Sequence, residues 1–314
     1  MSTKKKGSFT DTLKFLTIPF CGGLATFLGD IISYPFETIT TSIKKLHNPK
    51  GFYKEVQINI YRRNWYYFVN GINTVFYSAF FTNFVYFGVY EGLNRYSTRK
   101  LREKKLTEYN WMIPTVSSLI GEAASLAVFV PVDCVQTRIQ SGLSDFKYNG
   151  LFDGLQSIIK NEGYRRLFTG SHVYMLHNLL FMPIIFTIYE KYKKVKINRR
   201  IEKLKKQNLP VPDKSELFRI SDSLYGTFLA TTISTIVTNP LYTILVRFQI
   251  TDYSQSQYMN ERVWYIVKSS FRLRGFNGLN VGLLPRLLTT NISAGIYLPV
   301  YEFIRTIFGH ESEI

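Results

Sequence analysis

The chain has 314 residues, a formal net charge of +17 and 46% hydrophobic residues, which excludes a protein that is disordered throughout. Its two cysteines both lie in apolar segments, which excludes a disulfide framework and a cysteine metal site. Its basic residues cluster between long uncharged stretches, and this pattern favours contact with anionic lipid over nucleic acid.

Six segments are long and apolar enough to predict membrane-spanning helices, which need about 20 residues each. In chain order they are residues 13–43, 64–90, 109–139, 167–189, 223–246 and 283–308. The second, fourth and fifth contain no Lys, Arg, Asp or Glu, whereas the others are weaker candidates because they carry charged residues. Asp30, Glu122 and Asp133 are among these charges, and they are predicted to line a water-filled cavity, since charges inside membrane helices face water or one another. Residues 1–10 have no apolar signal core, so no cleaved presequence is expected.

Three sequence marks recur in the same order along the chain: a proline, a glycine and a Tyr-Glu pair. The prolines are Pro35, Pro131 and Pro240, the glycines are Gly71, Gly170 and Gly282, and the pairs are Tyr90-Glu91, Tyr189-Glu190 and Tyr301-Glu302. Twenty residues separate the glycine from the glutamate in every copy, which is the length of one spanning helix. We therefore predict three copies of one unit, at residues 1–108, 109–213 and 214–314.

These marks resemble those of the mitochondrial carrier family, in which a Pro-x-acid-x-x-base motif on the first helix of each repeat is followed by a glycine that opens the second helix. The resemblance implies an all-α membrane protein with six spanning helices in three pairs around a pseudo-threefold axis. It also implies a cavity closed alternately at either end, short matrix-side helices near residues 53–63, 151–161 and 258–272, and a location in the mitochondrial inner membrane.

The same resemblance assigns two gates. At the matrix gate, the acid positions are Glu37, Asp133 and Tyr242, and the base positions are Thr40, Gln136 and Leu245, so that no base remains. At the opposite gate, the acid positions are Glu91, Glu190 and Glu302, and the base positions are Asn94, Lys193 and Arg305. Pairs from Glu91 to Lys193 and from Glu190 to Arg305 are then expected, with Glu302 facing Asn94. The alternative is that these charges are simply solvated at helix ends.

The family's substrate contacts lie midway along the second helices. Carried over by position, they fall on Ser78, His177, Asn178 and Thr289, with Asp30 facing them from the first helix. None of these is Lys or Arg, so the site is expected to suit nucleotides and carboxylates poorly. His177 is a proton acceptor, a partner of Asp30, or simply a side chain that is hydrogen-bonded to a neighbour. Arg286 is either structural or a binding site for an anion.

Bound lipid is the one non-protein component that the sequence predicts. Gly71, Gly170 and Gly282 either serve as turn residues or open lipid sites, because free amides at a helix N-terminus attract phosphate. The family resemblance implies that the lipid is cardiolipin. No cofactor, metal site, nucleic-acid partner or catalytic apparatus is expected, since the four histidines lack ligand spacing and no nucleotide loop is present.

Two functions remain open. The loss of all three matrix-gate bases and of a cationic substrate contact favours a carrier-derived structural subunit of a larger inner-membrane assembly, such as a respiratory complex or ATP synthase, with transport lost or weakened. The alternative is an active alternating-access transporter for a neutral, zwitterionic or cationic metabolite.

Overall fold

The computed structural model describes residues 4–45, 54, 57, 61, 65–103, 112–141, 148–207, 217, 220–250 and 259–307. In chain order the helices are α1 (Lys4–Lys45), α2 (Tyr66–Val69), α3 (Asn73–Glu103), α4 (Met112–Ser141), α5 (Leu151–Glu162), α6 (Ser171–Lys206), α7 (Ile220–Ile250), α8 (Met259–Arg274) and α9 (Leu283–Ile307). Six of them are long, which confirms the predicted all-α class and its six-helix plan. The first helices of the three pairs are α1, α4 and α7, and the second helices are α3, α6 and α9.

Three of the described stretches are candidate membrane spans by length and composition alone, namely Val116–Ser141, Tyr164–Lys206 and Ser221–Ile250. The first lies in the predicted segment 109–139, which was a weaker candidate because it carries charged residues. The uncharged segment 64–90 is not among the three, because its many Tyr and Asn residues lower its hydropathy although they carry no charge. The absence of charge is therefore a different property from strong hydropathy.

The long helices form a closed ring. Helix α1 packs against α3 and α9, α3 packs against α4, α6 against α7, and α7 against α9. The ring closes between α4 and α6, where Asn178 Nδ2 donates to Glu122 Oε1 over 3.0 Å. At the same junction the rings of Phe129 and Tyr174 lie with their centroids 4.8 Å apart. This is the pseudo-threefold barrel of three helix pairs.

The short helices lie across the C-terminal ends of the first helices. Helix α5 matches the prediction at 151–161, and its Ile158 is buried in a cluster with Val135 and Ile139 of α4. Helix α8 matches the prediction at 258–272, and its Ile266 packs into a cluster with Phe248 of α7. The predicted helix at 53–63 lies almost wholly outside the described residues. Burial of one apolar face explains why these helices lie flat against the barrel.

The three repeat glycines stand just before the second helices with positive φ angles, 82° at Gly71, 88° at Gly170 and 69° at Gly282. Only glycine adopts this conformation without strain. A Cβ at Gly170 would also lie 2.7 Å from Leu245 Cδ1. Turn geometry and close packing are therefore sufficient to account for these residues, and cardiolipin binding beside them stays a prediction.

Candidate functional site

The C-terminal ends of α1, α4 and α7 meet at one end of the barrel, which we call the closed end. The residue seven positions after each repeat proline donates a hydrogen bond to a backbone carbonyl of the next repeat. The bonds are Ser42 Oγ to Gln140 O at 3.1 Å, Arg138 Nε to Gln249 O at 3.2 Å, and Arg247 Nε to Lys44 O at 2.9 Å. We call this set the closing ring, and it follows the pseudo-threefold axis.

A second set of bonds runs around the ring in the opposite direction. The residue nine positions after each proline is almost fully buried, and its side chain reaches the preceding repeat. Lys44 Nζ donates to Asn239 Oδ1 and Thr243 Oγ1, both at 2.8 Å, Gln140 Oε1 accepts from Thr41 Oγ1 at 3.1 Å, and Gln249 Nε2 donates to Asp133 Oδ2 at 2.7 Å. Hydrogen bonds that join different repeats therefore hold the end that is predicted to face the matrix.

Side-chain amides bond both matrix-gate acids. Gln136, at a base position, donates from Nε2 to Glu37 Oε2 over 3.2 Å, and Gln249, outside the predicted gate positions, donates from Nε2 to Asp133 Oδ2. Among the described residues, neither carboxylate forms an ion pair with Lys or Arg. At the other two base positions, Thr40 Oγ1 donates to Phe36 O of its own helix, and Leu245 joins an apolar cluster.

The opposite gate differs from the expected pairing. Glu91 Oε1 pairs with Arg95 Nε on its own helix at 2.7 Å, and not with Lys193. Asn94 is half-buried, Glu190 is exposed, and the side chains of Glu302 and Arg305 lie outside the described set. Arg95 lies four residues after Glu91 and therefore one helical turn away on the same face of α3.

The predicted substrate contacts are divided between two places. Asp30 Oδ1 accepts from Ser293 Oγ at 2.9 Å, which joins α1 to α9. Ser78 and Thr289 donate to carbonyls of their own helices, Val75 O at 3.2 Å and Pro285 O at 3.0 Å. The structure therefore brings Asp30 to α9 and not to His177.

His177 instead belongs to a chain of hydrogen bonds that crosses from α4 to α9. Arg286 Nη2 lies 2.6 Å from His177 Nε2, and His177 Nδ1 lies 3.2 Å from Asn178 Oδ1. Asn178 in turn donates to Glu122. Because Arg286 can only donate, these contacts require a neutral imidazole whose proton is on Nδ1.

Two cations, Arg286 and Lys44, lie beside Tyr242 near the closed end, at a place that we call the floor; Arg286 was a candidate from the sequence, and Lys44 was not. Arg286 Nη1 and Lys44 Nζ both approach Asn239 Oδ1, at 3.4 and 2.8 Å. The Arg286 guanidinium lies 4.0 Å from the centroid of the Tyr242 ring, and Lys44 Nζ lies 5.3 Å from it. Lys44 was not predicted because the family motif ends five residues after Pro35, at Thr40. The recurrence of polar residues nine positions after all three prolines was the available signal.

Acids lie near this floor as well. Tyr242 is within electrostatic range of Glu37 and Asp133 as well as of Arg286. Tyr174 on α6 is within range of Asp30, Glu122 and Asp133. This part of the barrel thus has carboxylates on α1 and α4 and a pair of cations on α1 and α9. In the part of the chain that the structure describes, no group of three or more His, Cys, Asp or Glu could hold a metal ion.

The sequence model of the family described as mitochondrial carrier protein matches residues 107–200 and 218–312. The chain belongs to the mitochondrial carrier family. It is a multi-pass protein of the mitochondrial inner membrane, as this membership indicates. The match omits the first repeat, which is also where Ser42 and Lys44 take the positions held by arginine and glutamine in the other two repeats.

Curated carriers resemble the chain at low identity. It is 25% identical over 297 residues to the probable S-adenosylmethionine carrier 2, chloroplastic, of Arabidopsis thaliana, covering 93% of this chain and 74% of that protein. It is 22% identical over 302 residues to the mitochondrial S-adenosylmethionine carrier protein of Xenopus tropicalis, covering 95% and 98%. It is 26% identical over 230 residues to a mitochondrial glutathione transporter of Homo sapiens, covering 73% and 63%.

Proposed function

We propose that this carrier-family protein transports a zwitterionic or cationic metabolite across the inner membrane by alternating access. The construction of the closed end is the observation that carries the proposal. The closed end is held by hydrogen bonds between polar groups of different repeats. In a static subunit we would expect a packed apolar core at this place. Such bonds can be exchanged for bonds to water when the end opens, so their net contribution is modest.

The charges in the cavity support this class of solute. Asp30, Glu122 and Asp133 all lie within electrostatic range of Tyr174 and attract a positive group, while Arg286 and Lys44 supply positive charge at the floor. Two of the relatives are named for S-adenosylmethionine, which is a cationic amino-acid derivative. A polyanion would meet several carboxylates on its way to the floor.

This proposal reverses the preference drawn from the sequence. The loss of the three gate bases favoured a structural subunit, but amide donors and Lys44 make cross-repeat contacts in their place. The relatives are named as carriers and transporters, which favours the transport alternative.

Uptake by purified protein in liposomes tests the proposal. We expect time-dependent uptake of labelled S-adenosylmethionine or glutathione above empty vesicles. Asp30→Asn should lower that uptake about 10-fold or more, because one charge-assisted contact to the solute is lost. Lys194→Gln, at an exposed position on α6, is the matched control for a change of one charge and should leave uptake unchanged. Uptake of neither compound by the wild-type protein would overturn the proposal.

A further inference from the structure

We propose that Arg286 and Lys44 form a subsite for the carboxylate of the transported solute, which makes that solute an amino-acid-type zwitterion. This inference rests on the proposed transport function and narrows it, because it excludes cations that lack a free carboxylate. It also gives the solute a direction in the cavity, with its carboxylate toward α9.

The first step is the proximity of the two cations. They come from helices at opposite ends of the chain, α1 and α9, and share Asn239 Oδ1 as an acceptor. Lys44 is 0% exposed and Arg286 is 4% exposed. Two like charges held this close and out of water repel each other, and the repulsion grows as the local dielectric constant falls.

The second step is the identity of their partners. Over the described residues, the recorded acceptors of Lys44 are the side chains of Asn239 and Thr243 and the carbonyl of Val281, and those of Arg286 are Asn239 and His177. All of these are neutral groups. Arg138, which is equally buried, has the carboxylate of Glu162 at 3.0 Å. Buried cations are normally paired, so a pair with only neutral acceptors favours an incoming anion.

The third step is a hydrogen-bond donor of Arg286 from which a carboxylate could accept in place of His177. Arg286 Nη2 is occupied by His177 Nε2, a neutral acceptor on a side chain that also bonds Asn178. A carboxylate is the stronger acceptor and fits the planar fork of a guanidinium in two-point contact. Binding would therefore displace His177 from Arg286.

The fourth step is the pair of acids across Tyr242. Glu37 and Asp133 are close enough to act electrostatically on the hydroxyl of Tyr242, and the Arg286 guanidinium covers the ring of the same residue. The hydrogen-bond partners of the two acids are side-chain amides, from Gln136 and Gln140 for Glu37 and from Gln249 for Asp133. A solute with an α-ammonium group beside its carboxylate could place the ammonium group near these acids and the carboxylate near the two cations. Neither a simple amine nor a simple acid can do both.

The test compares two solutes that differ only in the carboxylate. Unlabelled S-adenosylmethionine and its decarboxylated form compete against uptake of labelled S-adenosylmethionine into vesicles that contain the purified protein. For the wild type we expect the decarboxylated form to compete about 10-fold or more weakly. In Arg286→Gln that ratio should fall to within about threefold, and Arg286→Lys should retain part of it. Lys194→Gln, the exposed control, should keep the wild-type ratio.

The ratio is measured on one vesicle preparation, so a partial loss of folded protein cancels. A purely structural role for Arg286 would lower uptake of labelled S-adenosylmethionine and leave the ratio between the two competitors unchanged, and that result overturns the subsite. Equal competition by both compounds in the wild type overturns it as well, while the transport function stands. If Arg286→Gln does not fold, the wild-type ratio and Arg286→Lys decide. No uptake of S-adenosylmethionine or glutathione by the wild type overturns the transport function itself and the subsite with it.

Discussion

Gln136 offers a direct way to change the strength of the closed end. Its Nε2 donates to Glu37 Oε2 on α1 over 3.2 Å, and its Oε1 accepts from Thr74 Oγ1 on α3 at 2.8 Å. The family motif has a base at this position. In Gln136→Lys, an ammonium group would replace the amide beside Glu37, and the neutral donor would become the cation of an ion pair between α4 and α1.

The size of the effect follows from charge, distance and burial. Two unit charges about 4 Å apart attract by about 4 kcal/mol at an effective dielectric constant of about 20. Gln136 is only 7% exposed, so desolvation of the ammonium group offsets much of this, as does the loss of the bond from Thr74. We expect a net gain of about 1–2 kcal/mol for the closed state. That gain lowers the population open at this end about 5- to 30-fold.

Two measurements check this expectation. The melting temperature of Gln136→Lys in detergent should rise above that of the wild type, and its initial rate of uptake into vesicles should fall. Gln136→Met is the matched control, because it has similar size without charge or amide, and it should melt lower than the wild type. A Gln136→Lys protein that transports at the wild-type rate and melts no higher would refute the reasoning about the gate.

Three further predictions concern other parts of the molecule. Arg138→Gln should lower the free energy of unfolding by about 1–3 kcal/mol, because it removes the charge-assisted bond to Glu162 and the bond to Gln249 O, while the exposed Glu162 keeps Arg166 as a partner. The exposed Arg95→Gln should cost less than about 1 kcal/mol, and denaturant unfolding in detergent compares the two. Gly170→Ala should lower the free energy of unfolding by about 1–3 kcal/mol on the same assay, because of the positive φ of Gly170 and the contact of a new Cβ with Leu245. Gly88→Ala, with open space around the residue, should be neutral or stabilising, and equal losses of stability in the two variants would contradict this account. Vesicles with the wild-type protein should not exchange ADP or malate, since several cavity carboxylates repel polyanions, and exchange above an empty-vesicle control would contradict this.

Much of the fold could be predicted from the sequence because its marks have local physical causes. Gly170 and Gly282 are needed where a turn takes positive φ before a second helix, and that need recurs once per repeat. The apolar faces of α5 and α8 likewise depend on residues within single helices. The order of helices in the ring then follows from the threefold repeat.

The site could be predicted only in part, because its contacts join residues far apart in the chain. Lys44 meets Asn239 across 195 positions, and His177 meets Arg286 across 109. No local sequence pattern predicts a hydrogen-bond partner so far away in the chain. The sequence predicted Asp30 in the cavity and offered His177 as one of its partners, but it gave no sign of Ser293 on α9, which is the residue that reaches it.

The most direct test of alternating access is counterflow in vesicles that contain the purified protein. Vesicles loaded with unlabelled S-adenosylmethionine should take up the labelled compound faster than vesicles without internal substrate. The reason is that the protein then returns to its outward-facing state with unlabelled solute bound, and each return allows another labelled molecule to enter. The same acceleration should be weak in Gln136→Lys. Uptake that is indifferent to the internal solute, or that matches protein-free vesicles, would contradict the account of this protein as a working carrier.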